Sequence, residues 1–324
     1  MSHPRMLEVI AMTLISPPTT SERANFRLIR FALSSLSFIS AIFTIFLITY
    51  SKDGAGQKYS RLILASVVLS LIFEMYLQII LDPIYLFPIP CFSRDEPMLD
   101  IPGRPSIHNL VFVLLLEFDV PVIISCFIYR HQAVMAPGSR WSYSPRAQMI
   151  PPLLITPFLI MYPISYTQPP EAVYQYTEIL SDLWSTEAIA RADCFDPHFF
   201  KGICIWAVIC CALSGVFLFV VVCHTFLTLQ KHSAISAKMR EYHLTMTRVL
   251  VLQSLVPLVF VILPYSFATL VFFMEMSDPL ILSTCITITS LHSFVHSLVV
   301  LTTTPTYRRQ ILSLLRQPRF ARLR

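Results

Sequence analysis

The chain has 324 residues, of which 55% are hydrophobic and only 13% are charged, and its formal net charge is +5. Soluble domains carry roughly 25% charged residues. A chain this apolar cannot bury all its hydrophobic side chains in one water-soluble core. The composition therefore argues against a soluble globular protein and predicts that a bilayer is the solvent.

Seven apolar stretches follow one another along the chain, and each reaches or nearly reaches the roughly 20 residues that a spanning helix needs. The stretches are Leu28–Tyr50, Ser60–Leu81, Ile107–Tyr129, Met149–Tyr166, Phe200–Thr228, Arg248–Met274 and Leu280–Thr303. We predict an all-α membrane protein, a seven-transmembrane helix bundle over residues 28–303. Residues 1–27 form an extracellular tail in this prediction, and residues 304–324 form a basic cytosolic tail.

Prolines interrupt two of these stretches. The fourth is short and contains four prolines, and the sixth contains Pro257 and Pro264. A membrane helix tolerates proline because neighbouring groups and local adjustments of the helix satisfy the freed carbonyls. We expect these prolines to distort their helices without ending them.

The basic residues predict the orientation of the bundle. Of the 24 Lys and Arg residues, 16 lie in alternate loops and in the C-terminal tail, while most acidic residues lie in the other set of loops. Short cytosolic loops carry an excess of Lys and Arg, so the N-terminus is predicted outside and the C-terminus in the cytosol. Arg23, Arg27 and Arg30, just before or at the start of the first span, are the one feature that favours the inverted topology.

Two of the eight cysteines lie outside the apolar stretches, namely Cys91 and Cys194. Each falls in a loop that the charge pattern places outside, where the compartment is oxidising. Because no other cysteine lies in these loops, we predict a Cys91–Cys194 disulfide over the outer end of the bundle.

Ionisable side chains inside a bilayer are costly and are functional candidates. The second span carries Glu74, Gln78 and Asp82 at positions i, i+4 and i+8, which share one helical face. Asp82 is near the outer end, where solvent can reach it. The third span carries Glu117 and Asp119, and about 200° of helix rotation separates them, so both cannot face the bundle interior equally.

In the seventh span, His292 and His296 also share a face, at positions i and i+4. All Lys and Arg residues are assigned to loops and helix ends, so the buried carboxyls have no buried basic partner. They are open to three roles: interhelical hydrogen bonds, a ligand pocket, or ion transport. Our candidates for a ligand pocket are Glu74, Gln78, Glu117, Asp119 and His292.

Catalytic motifs are absent from the sequence. The chain has no G-x-S-x-G, no P-loop and no H-E-x-x-H. His292 and His296 have the spacing of one metal-binding pair, but such a site needs more ligands, and the other histidines are scattered. We predict no enzyme activity, no cofactor, no metal site and no nucleic-acid partner.

The inner end of the bundle carries basic and aromatic residues. Arg130 lies where the third span ends, and it can either anchor in the headgroups or act as a switch. After the seventh span, the stretch Tyr307–Leu315 is short, basic and amphipathic, which predicts a helix on an anionic inner leaflet.

The segment "FIYRHQAVM" after the third span and "SLHSFVHSLVVLTTTPTYRRQIL" at the end of the seventh resemble the nematode serpentine chemoreceptors, as does Pro90-Cys91. The most similar groups are class h and class i of the Str superfamily. The resemblance implies ciliary membranes of sensory neurons and heterotrimeric G-protein signalling. By motif match, Arg130 and His131 occupy the third-helix switch, and Tyr307 and Arg308 the seventh-helix ending. Asp-Arg-Tyr and Asn-Pro-x-x-Tyr are missing, so a rhodopsin-like sodium site and microswitch are not carried over.

The expected function is that of a chemosensory receptor in the plasma membrane. It binds a small molecule from the outside and activates a heterotrimeric G protein. One alternative is a seven-helix ligand-gated cation channel of inverted topology, which only the three N-terminal arginines favour. Another is a transporter that uses the buried carboxyls, although such proteins usually contain internal repeats and none is seen. A scaffold without a ligand is the third.

Overall fold

A computed structural model gives the architecture. The residues that it describes are 20–50, 57–85, 91–94, 99, 101, 105–135, 139–144, 147–150, 193–194, 197–231, 236–274 and 279–316. The predicted tail 1–27 is therefore described only from residue 20. The fourth predicted span lies outside the described residues from residue 151 onward.

The six other predicted spans are helical. The helices are α1 Thr20–Tyr50, α2 Gln57–Met75, α3 Pro105–Gln132, α4 Pro197–Lys231, α5 Ala237–Pro257, α6 Leu263–Phe273, α7 Pro279–Thr289, α8 His292–Thr303 and α9 Pro305–Arg316. The sixth span consists of α5 and α6, and the seventh of α7 and α8. Within the described part of the chain, five helical segments are long and apolar enough to cross a membrane. The prediction of an all-α membrane protein is confirmed.

The sixth span begins earlier than hydropathy predicts. Ser236 caps α5, and its hydroxyl accepts a hydrogen bond from the backbone N–H of Met239 at 3.3 Å. Such a cap satisfies one of the donors that a helix start leaves unpaired. The polar residues between Ala237 and Arg248 therefore extend the helix beyond the predicted span, at the same end of the bundle as Arg130.

Two segments widen to π-helical turns. The second span continues past α2 as a π-helix over Tyr76–Leu81, and Leu258–Ile262 joins α5 to α6 in the same way. Pro257 and Pro264 flank the second segment, and a proline removes one backbone donor and crowds the preceding turn. The sixth span is thus distorted at its prolines but continues, as expected.

The seventh span is broken near its middle. The N–H of Ser290 still bonds the carbonyl of Ile286 at 3.0 Å, but that of Leu291 bonds Ile288 at 3.1 Å, three residues back. A new helix, α8, then starts at His292. The first N–H groups of a helix have no partner within it, so the break places a helix N-terminus inside the bundle.

Three short strands form an antiparallel sheet beside the outer ends of the helices, an addition that hydropathy does not predict. They are β1 Pro83–Tyr85, β2 Cys91–Arg94 and β3 Asp193–Cys194, in the order β1-β2-β3. Cys91 lies directly opposite Cys194 in the register of β2 and β3. Cys91 is disulfide-bonded.

Two apolar clusters of buried residues lie within the part of the bundle that the structure describes. From here the end that carries β2 is called the outer end, and the end that carries Arg130 the inner end, following the predicted orientation. Phe73, Leu77, Leu81, Phe112 and Ile286 form the outer cluster. The members of the inner cluster are Ala41, Leu47, Ile48, Tyr59, Ile63, Val67, Cys126, Phe127, Leu250, Val300, Leu301 and Tyr307.

Candidate functional site

Glu74 lies fully buried where α1, α2 and α8 meet. Ser34 and Ser37 of α1 and the main chain of Ser293 face its carboxyl group, yet neither carboxyl oxygen has a hydrogen bond of good geometry. Ser293 belongs to the first turn of α8, and the N-terminus of a helix carries a partial positive charge. The carboxyl group is therefore placed where the break in the seventh span offers main-chain donors and a favourable dipole.

Gln78 contacts the same break from one turn further out. Its side-chain amide donates a hydrogen bond to the hydroxyl of Ser290. Glu74 and Gln78 therefore both face the seventh span, and Asp82 faces α1 beside it. The predicted shared face of the second span is confirmed, and it is directed at α1, at the break between α7 and α8, and at the first turn of α8.

His292 is the first residue of α8 and is 2% exposed. Its ring lies parallel to that of His296, with centroids 5.9 Å apart, as the i, i+4 spacing predicts. Neither ring nitrogen of His292 has a hydrogen-bond partner, and the His292 ring meets that of Phe73 edge-on, with centroids 6.2 Å apart. His296 lies near Ser70, with Nδ1 3.4 Å from the hydroxyl.

Asp119 faces α2. Its Oδ1 accepts a hydrogen bond from the hydroxyl of Ser66 at 3.0 Å, and the residue is 7% exposed. Glu117 belongs to α3, but its side chain lies outside the described residues. A small cavity of about 20 Å³, enough for one water molecule, lies between α2, α3, α5 and α8, and Ser66, His296 and Gln253 are among its lining residues.

Asp82 is buried and paired, whereas the sequence suggests that solvent reaches it. The residue is 4% exposed and ends the π-helical turn in a left-handed conformation, with φ of 35°. Its carboxylate lies 2.7 Å from the guanidinium of Arg30 and 3.7 Å from that of Arg27. Two of the three arginines that favour the inverted topology therefore have a local partner at the outer end.

Arg130 does not extend towards the headgroups. It is 6% exposed, and its guanidinium carbon lies 3.6 Å from the ring centroid of Tyr59, at the start of α2. A second ring, that of Tyr242 in α5, lies 5.9 Å away. Tyr59 also stacks on Tyr129 at 6.3 Å. The inner ends of α2, α3 and α5 thus meet around one buried cation.

His131 joins α3 to α4. Its Nε2 lies 2.8 Å from Nδ1 of His224, a contact in which one ring must donate and the other accept. Gln132 contacts the remaining nitrogen of His131 at 3.1 Å and donates to the carbonyl of Trp141 at 2.8 Å. The Trp141 ring lies 4.8 Å from that of His224, so residues 139–144 pack on this pair.

Tyr307 and Arg308 differ in their surroundings. Tyr307 is 2% exposed and belongs to the inner cluster that contains Tyr59. Arg308 is exposed on α9. The structure therefore brings Arg130 and Tyr307 to the same inner region but leaves Arg308 at the surface.

The sequence from α1 to α9 matches the model of a known family. The family model described as the serpentine type 7TM GPCR chemoreceptor Sri matches residues 27–311. The chain belongs to the Sri family of serpentine chemoreceptors. Sri membership confirms the resemblance at the level of a seven-helix chemoreceptor family, while the nematode origin and the wider Str grouping stay predictions. No curated protein matches the sequence.

In this Sri chain, the sequence indicates Arg130 and His131 but not the residues that hold them. Tyr59 lies one residue before its predicted span, and Tyr242 lies six residues before the predicted start of the sixth. An aromatic residue at a membrane boundary is ordinarily an interfacial anchor, so neither position carries a distinct signal. His224 and Trp141 are equally remote from α3 in sequence.

Proposed function

We propose that this chain is a chemosensory receptor that binds a small molecule from the outside and activates a heterotrimeric G protein at the inner end. The observation that carries the proposal is the buried Arg130, which lies where the inner ends of α2, α3 and α5 converge, in a chain of a GPCR chemoreceptor family. That family membership favours a receptor over the channel and transporter alternatives.

The proposed orientation places the N-terminus outside and the C-terminus in the cytosol, in the plasma membrane. The distribution of Lys and Arg supports it. The register that sets Cys91 against Cys194 also supports it, because opposite residues in antiparallel strands have Cα atoms about 4.5–5.5 Å apart, which a disulfide can bridge. We assign the disulfide of Cys91 to Cys194, on the oxidising side.

The proposed ligand acts on the second, third, sixth and seventh spans. From the outer side it first meets an aromatic layer, in which Phe112 stacks on Phe73 at 5.0 Å and contacts Tyr265 at 5.9 Å. Phe73 then touches His292 at the break. A ligand that displaces this layer changes the packing around His292 and Glu74, which lie beneath it.

A ligand shifts a two-state equilibrium only by its difference in affinity for the two states. In the active state we expect the inner ends of α3, α4 and α5 to separate beside Arg130 and admit an element of the G protein. The amphipathic α9 then lies on the inner leaflet, held to the bundle through Tyr307. Ciliary membranes of sensory neurons are the location that the resemblance implies.

The test has two stages. Epitope tags before Met1 and after Arg324 in intact cells should give antibody access to the N-terminal tag alone, and access to the C-terminal tag alone would reverse the proposed orientation. A chemical screen with recruitment of an engineered G-protein subunit then tests signalling. Arg130→Gln should abolish the response to any agonist found, while the exposed Arg61→Gln should retain it. An agonist response that survives Arg130→Gln would refute the assigned role of Arg130.

A further inference from the structure

We propose that Tyr59 is the positioning residue that holds Arg130 in the resting receptor, through the face of its ring. The guanidinium carbon lies 3.6 Å from the centroid of that ring, inside the range of roughly 6 Å over which a ring face attracts a cation. The partners are two side chains of this chain, from the inner ends of α2 and α3.

Among the described residues, no carboxylate pairs with Arg130. The ion pairs that Asp82 forms lie at the opposite end of the bundle. The Nε of Arg130 has no hydrogen-bond partner either. A buried charge is costly unless another group compensates it. Of the two aromatic rings that face the guanidinium, that of Tyr59 is the nearer. The attraction of a ring face is strongest for a cation removed from water, as Arg130 is at 6% exposure.

The ring of Tyr59 carries this role, and its hydroxyl does not. The hydroxyl lies close to the Arg130 side chain, but it forms no hydrogen bond of good geometry. The ring is fixed on two sides, because Tyr129 stacks on it at 6.3 Å and because it belongs to the inner cluster with Tyr307 and Leu301. Tyr59 is thus a rigid platform, to which phenylalanine would be equivalent.

The contact of Arg130 with Tyr242 is weaker than its contact with Tyr59. Its ring lies 5.9 Å from the guanidinium carbon and the residue is 46% exposed. Separation of α5 from α3 therefore costs little at Tyr242, whereas a partner can engage Arg130 only after the guanidinium leaves Tyr59. The contact between Arg130 and Tyr59 is then the one whose loss releases the arginine.

The test uses the full-length receptor in nanodiscs. Spin labels on noncanonical residues at the exposed positions Arg61 and Arg240 report the distance between the inner ends of α2 and α5. Tyr59→Leu, which keeps an apolar side chain but removes the ring, should shift the population towards the separated form by roughly 5- to 30-fold. Tyr59→Phe should leave the distance distribution unchanged. Basal recruitment of the G-protein subunit should rise with Tyr59→Leu and stay at the wild-type level with Tyr59→Phe.

Each outcome decides the proposal. An unchanged distance distribution in Tyr59→Leu, or a shift of equal size in Tyr59→Phe, would overturn it. If Tyr59→Leu fails to fold, Arg130→Gln removes the cation instead and must produce the same separation. The inference rests on the proposed function only for its signalling readout. A distance shift with no G-protein recruitment by any variant would refute the proposed G-protein coupling but support the contact between Arg130 and Tyr59.

Discussion

The ion pair at the outer end allows a quantitative prediction, because two arginines contact one carboxylate in different surroundings. The guanidinium of Arg30 is 2.7 Å from Asp82, with side-chain exposures of 11% and 5%. Arg27 is 3.7 Å away and its side chain is 37% exposed. Removing one partner of a buried pair costs about 3–5 kcal/mol, because the other charge stays buried. Removing Arg27 leaves Asp82 paired with Arg30, so we expect the longer and only partly exposed contact of Arg27 to contribute about 0–1 kcal/mol, as exposed pairs do.

We therefore expect Arg30→Gln and Arg27→Gln to differ in stability although they make the same chemical change. A large domain loses about 2 °C of melting temperature per kcal/mol, so Arg30→Gln should lower the melting temperature by about 6–10 °C and Arg27→Gln by about 2 °C or less. The assay is thermal unfolding of the detergent-solubilised receptor. Asp82→Asn should match Arg30→Gln, since asparagine tolerates the left-handed backbone at this position.

The double variant Arg30→Gln with Asp82→Asn provides the control. It removes both charges, so its loss of stability should be smaller than the sum of the two single losses. Equal losses for Arg27→Gln and Arg30→Gln would refute the assignment of a buried pair to Arg30. Strict additivity in the double variant would show that the two groups do not interact.

Three further predictions follow from other contacts. Cys91→Ser and Cys194→Ser should each lower the free energy of unfolding by about 2–5 kcal/mol, with no further loss in the double variant; unequal effects would contradict the assigned pairing. His131→Phe and His224→Phe should show a coupling energy of about 1 kcal/mol in a double-mutant cycle of thermal stability, and a coupling of zero would exclude a stabilising hydrogen bond between them. Alanine at Glu74, Glu117, Asp119 or His292 should shift agonist potency at unchanged surface expression, and unchanged potency at all four would remove the pocket assignment.

Hydropathy located the six spans that the structure describes, because a bilayer imposes a length on every span, but it missed the early start of the sixth span and the break in the seventh. The spacing of Glu74, Gln78 and Asp82 also predicted their common face, since helix periodicity is a local property. The partners of these residues were not predictable in the same way. Ser37 and Ser290 are remote in sequence from α2, and a contact between helices depends on their relative rotation, which hydropathy does not contain.

The arginines at the start of α1 illustrate the same limit. A count of charges makes Arg30 favour the inverted topology, because the count ignores the position of the opposite charge on Asp82. The pairing with Asp82 required the π-helical turn and a left-handed residue at position 82. Pro83 marks the end of that helix in the sequence, but it indicates neither the π-helical geometry nor the partner of Asp82. The break at Ser290 and Leu291 has no proline or glycine nearby, so the sequence predicted one continuous span there.

That break determines how the seventh span can transmit force. A continuous helix passes torque along its whole length, whereas two half-helices joined by one turn can swivel against each other. The half that follows the joint, α8, packs against α1, α2 and α5, while α7 packs mainly against α6. A displacement of α7 at the outer side can therefore bend the joint and leave α8 in place. Such a displacement would then reach the inner end through α6, the helix against which α7 mainly packs.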